Sequence, residues 1–271
     1  MKLSFVIPVL NEENSLNDLY NQILANIKDF DYEMIFIDDG SKDHSYEVMK
    51  SLAEKDNCIK LIKFRRNFGK SAALNKGFQH TTGDIIFTID ADLQDDPSEI
   101  AAFVNKINEG WDMVTGWKKR RKDSLSKRIT SKFFNFIVSI SFGFKLHDYN
   151  CGFKAYKSYV LKELDIYGEM HRYIPALARA KGFSVIEIPV NHRPRAYGKS
   201  KFGSERYIRG YLDLLTVKLV TTFSRSPLYL FGGIGTIFMG TGFLLGLYLT
   251  ILRFIKLIYL TNRPLIFLCM L

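Results

Sequence analysis

The chain has 271 residues, of which 47% are hydrophobic and 24% are charged. This balance excludes a disordered chain and a membrane protein with many spans, and the length fits one large domain with an appendage. The net charge of +10 indicates a negatively charged partner, such as nucleic acid, an anionic membrane surface or a phosphate.

Apolar strand-like segments and amphipathic helix-like segments alternate four times from the N-terminus. The expected strands cover residues 3–9, 34–37, 59–64 and 85–89, and the expected helices cover residues 16–27, 46–54 and 72–79. This alternation predicts a parallel sheet covered by helices, with right-handed crossovers.

Three of these strands run into acidic residues: Asn11-Glu12, Asp38-Asp39 and Asp90-Ala91-Asp92. Ligands of open α/β sheets bind at the carboxyl ends of the strands. Closely spaced carboxylates repel one another, so we expect Mg²⁺ or Mn²⁺ among them, shared with two phosphates of a nucleotide. Each acidic group alone could instead be an ordinary turn, since Asp-Gly is a common turn sequence. Asp95 and Asp96, just before Pro97, are expected to cap the next helix.

The middle of the chain predicts a helix at residues 97–109, a strand at 113–117, a helix at 174–181 and a strand at 183–190. The strand at 113–117 is followed by the basic run 118–122. Residues 127–145 are both basic and rich in Phe and Ile, which favours an amphipathic element at a membrane surface. A solvated charge run and ordinary core packing are the alternatives.

Residues 192–203 combine glycine and serine with several cations, which suits a loop that closes on phosphates. A disordered basic linker is the alternative. Asp148, in a polar turn before an aromatic strand, is a further candidate carboxylate.

The C-terminal part predicts an amphipathic helix over 205–224 and a membrane span over 228–252, which is 25 residues without a charge. We expect 264–271 to be the start of a truncated second hydrophobic segment. The predicted divisions are therefore a catalytic domain at 1–204, juxtamembrane helices at 205–227, and the span.

Cations before the span place the N-terminal domain in the cytoplasm, with the protein in the inner or plasma membrane. Arg253, Lys256 and Arg263 after the span weaken that argument. The three cysteines are far apart, which indicates no disulfide framework and a reducing compartment for the main domain.

Several motifs in this order resemble the family 2 glycosyltransferases of the polyprenyl-phosphate type. That group contains dolichol-phosphate mannose synthase and the bacterial bactoprenol glucosyltransferases. The matching segments are Val6–Glu12 (VIPVLNE), Ile37–Ser41 (IDDGS), Arg66–Lys70 (RNFGK), Asp90–Pro97 (DADLQDDP), Asp148–Lys154 (DYNCGFK) and Arg172–Pro175 (RYIP).

The resemblance implies an α/β GT-A fold: a Rossmann-like, mixed and mostly parallel sheet with helices on both faces, plus a C-terminal membrane helix. It also implies site residues in three groups. The nucleotide would be bound by Pro8, Leu10, Glu12, Ile37, Asp39, Lys70, Asp90 and Ala91. The sugar or the acceptor would be bound by Gln94, Arg120, Arg128, Ser131 and Arg172. The catalytic group would be Asp92, Asp148, Arg195 and Lys201, with Asp90 and Asp92 as ligands of Mg²⁺ or Mn²⁺.

The expected reaction transfers a hexose from a nucleotide sugar, with UDP-glucose favoured, to a polyprenyl phosphate with inversion. A glycosyltransferase acting on a non-lipid or polysaccharide acceptor is the main alternative. A basic nucleic-acid-binding membrane protein is a remote one, and no nucleic-acid partner is expected. Whether the protein forms a homo-oligomer is left open by the sequence.

Overall fold

A computed structural model describes residues 1–119, 125–194, 196–197, 213–219 and 227–256 of the chain. Its central element is a seven-stranded sheet with strand order β3-β2-β1-β4-β6-β5-β7. The strands are β1 (Lys2–Val9), β2 (Asp31–Asp38), β3 (Ile59–Lys63), β4 (Ile85–Thr88), β5 (Met113–Trp117), β6 (Lys154–Lys157) and β7 (Val185–Pro189).

The sheet is mixed and mostly parallel, as the sequence resemblance implied. Strands β3, β2, β1 and β4 run parallel to one another, and β5 runs parallel to β7. Strand β6 lies between β4 and β5 and is antiparallel to both.

Helices cover both faces of this sheet. They are α1 (Leu16–Asn26), α2 (Ser45–Lys55), α3 (Lys70–Phe78), α4 (Ile100–Asn108), α5 (Leu125–Phe142), α6 (Ser158–Lys162) and α7 (Ile174–Ala180). Alternate residues of β1 belong to different cores, since Phe5 and Ile7 pack into one cluster and Val6 packs into the other. Burial on both faces explains why these strands read as continuous apolar runs.

The helix expected over 97–109 has two parts. Residues Pro97–Glu99 form a 310 helix, and α4 follows from Ile100. Pro97 at the first position suits such a start, because proline has no N–H to leave unpaired there.

The chain divides into two units, residues 1–217 and 218–271. In the second unit the structure describes one long helix, Pro227–Lys256. Its segment Phe231–Leu252 is 22 residues, long and apolar enough to cross a membrane. Large apolar side chains such as Phe238 and Met239 are more than two-thirds exposed on it, at 73% and 70%.

Candidate active site

The acidic strand ends meet at one edge of the sheet. In the parallel pair β1 and β2, Val9 lies opposite Asp38, and the Asp39 N–H donates to the Val9 carbonyl at 2.8 Å. Strand β4 lies on the other side of β1 in parallel, so Asp90 and Asp92 emerge at the same edge. Neighbouring parallel strands thus bring together carboxylates that are far apart in sequence.

The antiparallel strand β6 adds the turn that contains Asp148. Because β6 begins beside the carboxyl end of β4, Thr88 pairs with Lys154, and the Thr88 hydroxyl donates to the Gly152 carbonyl at 2.8 Å. Gly152 lies directly against Asp90, since a Cβ atom added there would be 2.5 Å from Asp90 Oδ2. Asp148 is 1% exposed, and one of its oxygens accepts from the Asn150 N–H.

Asp90 forms an ion pair within the protein. Lys70 Nζ lies 2.5 Å from Asp90 Oδ1, while the aspartate side chain stays 31% exposed. Burial opposes ionisation of this carboxyl, but the charges of Lys70, Lys118 and Lys154 outweigh it and hold the pKa of Asp90 below its ordinary value.

Asp39 connects the end of β2 to the loop before α3 through hydrogen bonds. Its two carboxylate oxygens accept from the N–H groups of Phe68 and Gly69, at 2.7 and 3.0 Å. Burial is the largest influence on this carboxyl and raises the pKa of Asp39. Gly40 allows the close approach, because it has a φ of +76° and a Cβ atom there would lie 2.6 Å from the Arg66 carbonyl carbon.

We refer to residues 90–96 as the acidic loop. Asp92 Oδ1 accepts from the Gln94 N–H at 3.2 Å, and Leu93 between them has a φ of +60°. Asp96 caps the following 310 helix, since its Oδ1 accepts from the Ser98 N–H at 3.0 Å and from the Ser98 hydroxyl at 2.7 Å.

The expectation that Asp95 also caps this helix is wrong. Asp95 is buried, and its Oδ1 lies 3.0 Å from Lys118 Nζ, whose side chain is only 12% exposed. Burial lowers the pKa of Lys118, but the Asp95 charge opposes that effect and the net shift is upward. The basic run after β5 therefore begins with a buried ion pair rather than a solvated lysine.

The other predicted nucleotide-binding residues lie on the same three strand ends. Pro8 and Leu10 are partly buried at the end of β1, and the Glu12 N–H donates to the Ser45 hydroxyl at 2.8 Å. Ile37 is fully buried and Ala91 is 3% exposed, so a nucleotide would reach mainly their backbone atoms.

Arg172 is buried beside the start of α3. Its guanidinium Nη2 lies 2.6 Å from Glu169 Oε2. The neighbouring His171 N–H donates to the hydroxyl of Ser71, in the first turn of α3, at 3.0 Å. Arg120, Arg195 and Lys201 lie outside the described residues, as do the side chains of Arg128 and Ser131, and their roles stay predictions.

Comparison with known proteins identifies the family of this chain. The sequence profile described as "Glycosyl transferase family 2" matches residues 4–165, which is more than half of the chain. The chain belongs to glycosyl transferase family 2.

Two relatives of this family 2 enzyme are similar over nearly all of the chain. One is the dodecaprenyl-phosphate galacturonate synthase of Rhizobium johnstonii, 35% identical over 95% of this chain and 78% of its own length. The other is the undecaprenyl-phosphate 4-deoxy-4-formamido-L-arabinose transferase of Shewanella sediminis, 38% identical over 93% of this chain and 76% of its own length.

Solved structures of low sequence identity share the GT-A fold of this glycosyltransferase. The glucosyl-3-phosphoglycerate synthase of Mycobacterium tuberculosis superposes with a TM-score of 0.61 at 19% identity, covering 81% of this chain and 79% of that one. A mannosyltransferase of Pyrobaculum calidifontis in complex with GDP-Man and Mn²⁺ gives a TM-score of 0.57 at 19% identity, covering 80% and 63%.

The carboxylate oxygens at this edge of the sheet are suitable ligands for a metal ion that is also bound by substrate phosphates. Within the described part of the chain no three His, Cys, Asp or Glu side chains are grouped so that they could hold a metal ion by themselves. Asp90 and Asp92 nevertheless offer two carboxylates at one edge, and the Asp90 side chain is 31% exposed. Mg²⁺ is commonly bound by one or two carboxylates together with the phosphates of a substrate.

Three functional candidates escaped the sequence reasoning. Lys118 belongs to a basic run, Lys154 begins an expected aromatic strand, and Arg193 lies within the expected phosphate-binding loop 192–203 without having been named as a site residue. Lys154 is 3% exposed and donates to the Cys151 carbonyl, and burial lowers its pKa to about 8. The sequence signal for this position was a lysine placed between the apolar residues Phe153 and Ala155.

Proposed function

We propose that this glycosyltransferase transfers a sugar from a nucleotide sugar to the phosphate of a polyprenyl phosphate, with inversion at the anomeric carbon. The observation that carries the proposal is the acceptor shared by the names of the two relatives. The two names differ in the sugar but agree in the lipid phosphate. The similarity spans 93–95% of this chain, a share too large to leave out the apolar helix.

The acceptor chemistry explains why the site does not require a protein base. The second pKa of a phosphate monoester is about 6, so the lipid phosphate is largely a dianion at neutral pH. Its oxygen attacks the anomeric carbon in line as the bond to the nucleoside diphosphate breaks, and no proton has to be removed. Asp148 then serves to orient the sugar or a neighbouring cation rather than to act as a base.

The residues of the carboxyl edge supply the other requirements. Asp92 and Asp90 would hold Mg²⁺ or Mn²⁺, which as a Lewis acid neutralises charge on the departing diphosphate. Lys70 supplies a cation beside Asp90. The base and ribose of the nucleotide would be contacted by Pro8, Leu10, Glu12 and Asp39. The transferred sugar would be contacted by Gln94. In the same proposal Arg195 and Lys201 offset the repulsion between donor and acceptor phosphates.

The apolar helix Phe231–Leu252 fits a membrane-bound acceptor. We propose that the protein lies in the inner or plasma membrane with the catalytic domain, residues 1–204, in the cytoplasm, where nucleotide sugars are made. The N-terminal side of the helix carries the cations Arg206, Arg209, Lys218 and Arg225, in agreement with that orientation.

The sugar is the open part of the proposal. UDP-glucose is the donor that the sequence resemblance favours, and the names of the relatives add a galacturonate and a 4-deoxy-4-formamido-L-arabinose donor. The deciding experiment incubates the full chain in detergent with Mn²⁺ and each radiolabelled UDP-sugar in turn, in parallel reactions that contain either undecaprenyl phosphate or a soluble polysaccharide as the acceptor. A labelled lipid that EDTA suppresses supports the proposal. If only a soluble or polysaccharide acceptor is labelled, the alternative acceptor class is correct.

Asp92→Ala is expected to abolish transfer in that assay with the fold intact. Asp148→Asn separates the two roles of Asp148, because near-complete turnover in this variant would remove it from the catalytic group. A large loss with an altered pH profile would instead indicate proton transfer.

A further inference from the structure

The acidic loop has a backbone that its own sequence does not favour. Leu93, between Asp92 and Gln94, has a φ of +60°, in the left-handed region. A non-glycine residue there costs about 1–2 kcal/mol, so contacts with the surroundings must hold it. The elements that contact this loop therefore help to determine where the Asp92 carboxylate lies.

The segment that follows β7 contacts the acidic loop along its backbone. The Arg193 N–H donates to the Gln94 carbonyl at 2.9 Å, and His192 forms an isolated antiparallel bridge with Asp95. Two consecutive residues in the C-terminal half of the acidic loop, Gln94 and Asp95, are thus contacted from outside.

The Arg193 side chain adds two contacts with different elements. Its Nη2 lies 2.6 Å from Asp96 Oδ1, and its Nη1 donates to Gln22 Oε1, on α1, at 2.7 Å. Burial opposes ionisation of Asp96, but hydrogen bonds from Ser98 and the Arg193 charge hold the pKa of Asp96 below its ordinary value. A planar guanidinium can reach two acceptors at once, which the single ammonium of lysine does less well.

We propose that Arg193 is a positioning residue, which fixes the acidic loop between α1 and the end of β7 and so sets the position of Asp92 and Gln94. This inference rests on the proposed function, in which those two residues serve the donor. The Arg193 side chain is 41% exposed, and an ion pair so close to solvent contributes little to global stability. Its loss should therefore act on the loop and on catalysis rather than on the fold.

Hydrogen exchange tests the positioning without any donor. In the full chain in detergent, Arg193→Gln is expected to raise exchange at least fivefold in peptides that cover residues 90–96, with the melting temperature almost unchanged. The matched control is Arg179→Gln, at an exposed arginine of α7 whose guanidinium lies 5.6 Å from the Phe144 ring. The control is expected to leave exchange in the acidic loop unchanged.

Kinetics test the consequence, with the UDP-sugar found active in the donor screen and undecaprenyl phosphate. Arg193→Gln is expected to lower kcat at least tenfold with a smaller change in KM for the lipid, and Arg193→Lys to recover part of kcat. Gln22→Ala, which removes only the contact with α1, is expected to lower kcat less than Arg193→Gln does.

Unchanged exchange in the acidic loop would overturn the inference, and so would faster exchange with unchanged kcat. A melting temperature that falls in parallel with kcat in all three variants would also overturn it in favour of a purely structural role. If no donor labels the lipid, the proposed function fails on its own, and the exchange experiment still decides whether Arg193 holds the loop.

Discussion

Lys70 Nζ and Asp90 Oδ1 lie 2.5 Å apart, although the two residues are separated by a helix and a strand. Lys70 is the first residue of α3 and Asp90 follows β4, so the pairing depends on the parallel order of β1, β2 and β4. The carboxylate proposed to serve the metal and diphosphate thus already has a cation beside it.

Replacing Lys70 by Met should strengthen Mn²⁺ binding in the absence of nucleotide by roughly tenfold. The reason is that a positive charge within contact distance of Asp90 repels a second cation, and about 1.4 kcal/mol of relieved repulsion is a modest share of the Coulomb energy at this distance. Transfer should fall at least tenfold, because the diphosphate loses a cation. Electron paramagnetic resonance of free Mn²⁺ measures the affinity.

Lys70→Arg is the control for this experiment, since it keeps the charge and should leave Mn²⁺ affinity near that of the unmodified protein. If Lys70→Met binds Mn²⁺ no more tightly than Lys70→Arg, the two cations do not compete for Asp90.

Gly152→Ala should lower kcat/KM by about a hundredfold while the fold persists. The added Cβ would lie 2.5 Å from Asp90 Oδ2 and 2.7 Å from its Cγ, so the carboxylate must move. A displacement of about 1 Å in an active site can cost that much in rate. Steady-state kinetics and a melting curve on the same preparation measure the two effects separately.

Gly110→Ala is the matched control. A Cβ atom there meets nothing within 4 Å, but its φ of +113° makes alanine strained. This variant should lose stability and keep its turnover number. Equal kinetic losses in both variants would show that displacement of Asp90 is not the cause.

Much of the fold could be predicted from the sequence, because its strands are buried on both faces and alternate with amphipathic helices. The position of β6 could not, since its four residues pair antiparallel with β4, nearly seventy positions earlier, and no local pattern encodes that choice. The strand-end carboxylates were readable because parallel strands present their carboxyl ends at one edge. The Asp95–Lys118 pair was not, because burial of the first lysine in a basic run depends on tertiary contacts.

Breaking that buried pair should destabilise the protein strongly. Asp95→Asn leaves the buried Lys118 charge without its partner, and removing one member of such a pair typically costs about 3–5 kcal/mol. Lys118→Met should cost a similar amount. The double variant should lose clearly less stability than the sum of the losses in the two single variants, because no charge remains buried alone. Denaturant unfolding of all four proteins gives the coupling free energy.

The Asp96→Asn variant separates this effect from a general effect of charge in the acidic loop. Asp96 is partnered by Ser98 and by the half-exposed Arg193, so its loss should cost about 1 kcal/mol of stability. Additive costs for Asp95→Asn and Lys118→Met would mean that the two side chains do not interact in solution.

Stability should fall on acidification through the titration of Glu33, at the end of the sheet opposite the acidic loop. Glu33 is 2% exposed and accepts from the Ser4 hydroxyl at 2.6 Å and from Lys60 Nζ at 2.7 Å. Burial opposes ionisation, but the hydrogen bonds from Lys60, Ser4 and Thr82 outweigh it and lower the pKa of Glu33 from 4.5 to about 2. Because the folded pKa is the lower one, this stabilisation is complete above about pH 4.5 and is lost as pH falls toward 2.

Glu33→Gln should therefore flatten the stability profile between pH 5 and pH 3, relative to the unmodified protein, by roughly 1 kcal/mol after allowance for solvent screening. Glu47→Gln, at an exposed position of α2, should leave the slope unchanged. Unfolding midpoints at half-unit pH steps measure both slopes. Parallel profiles for Glu33→Gln and the unmodified protein would place the acid sensitivity in other carboxyl groups.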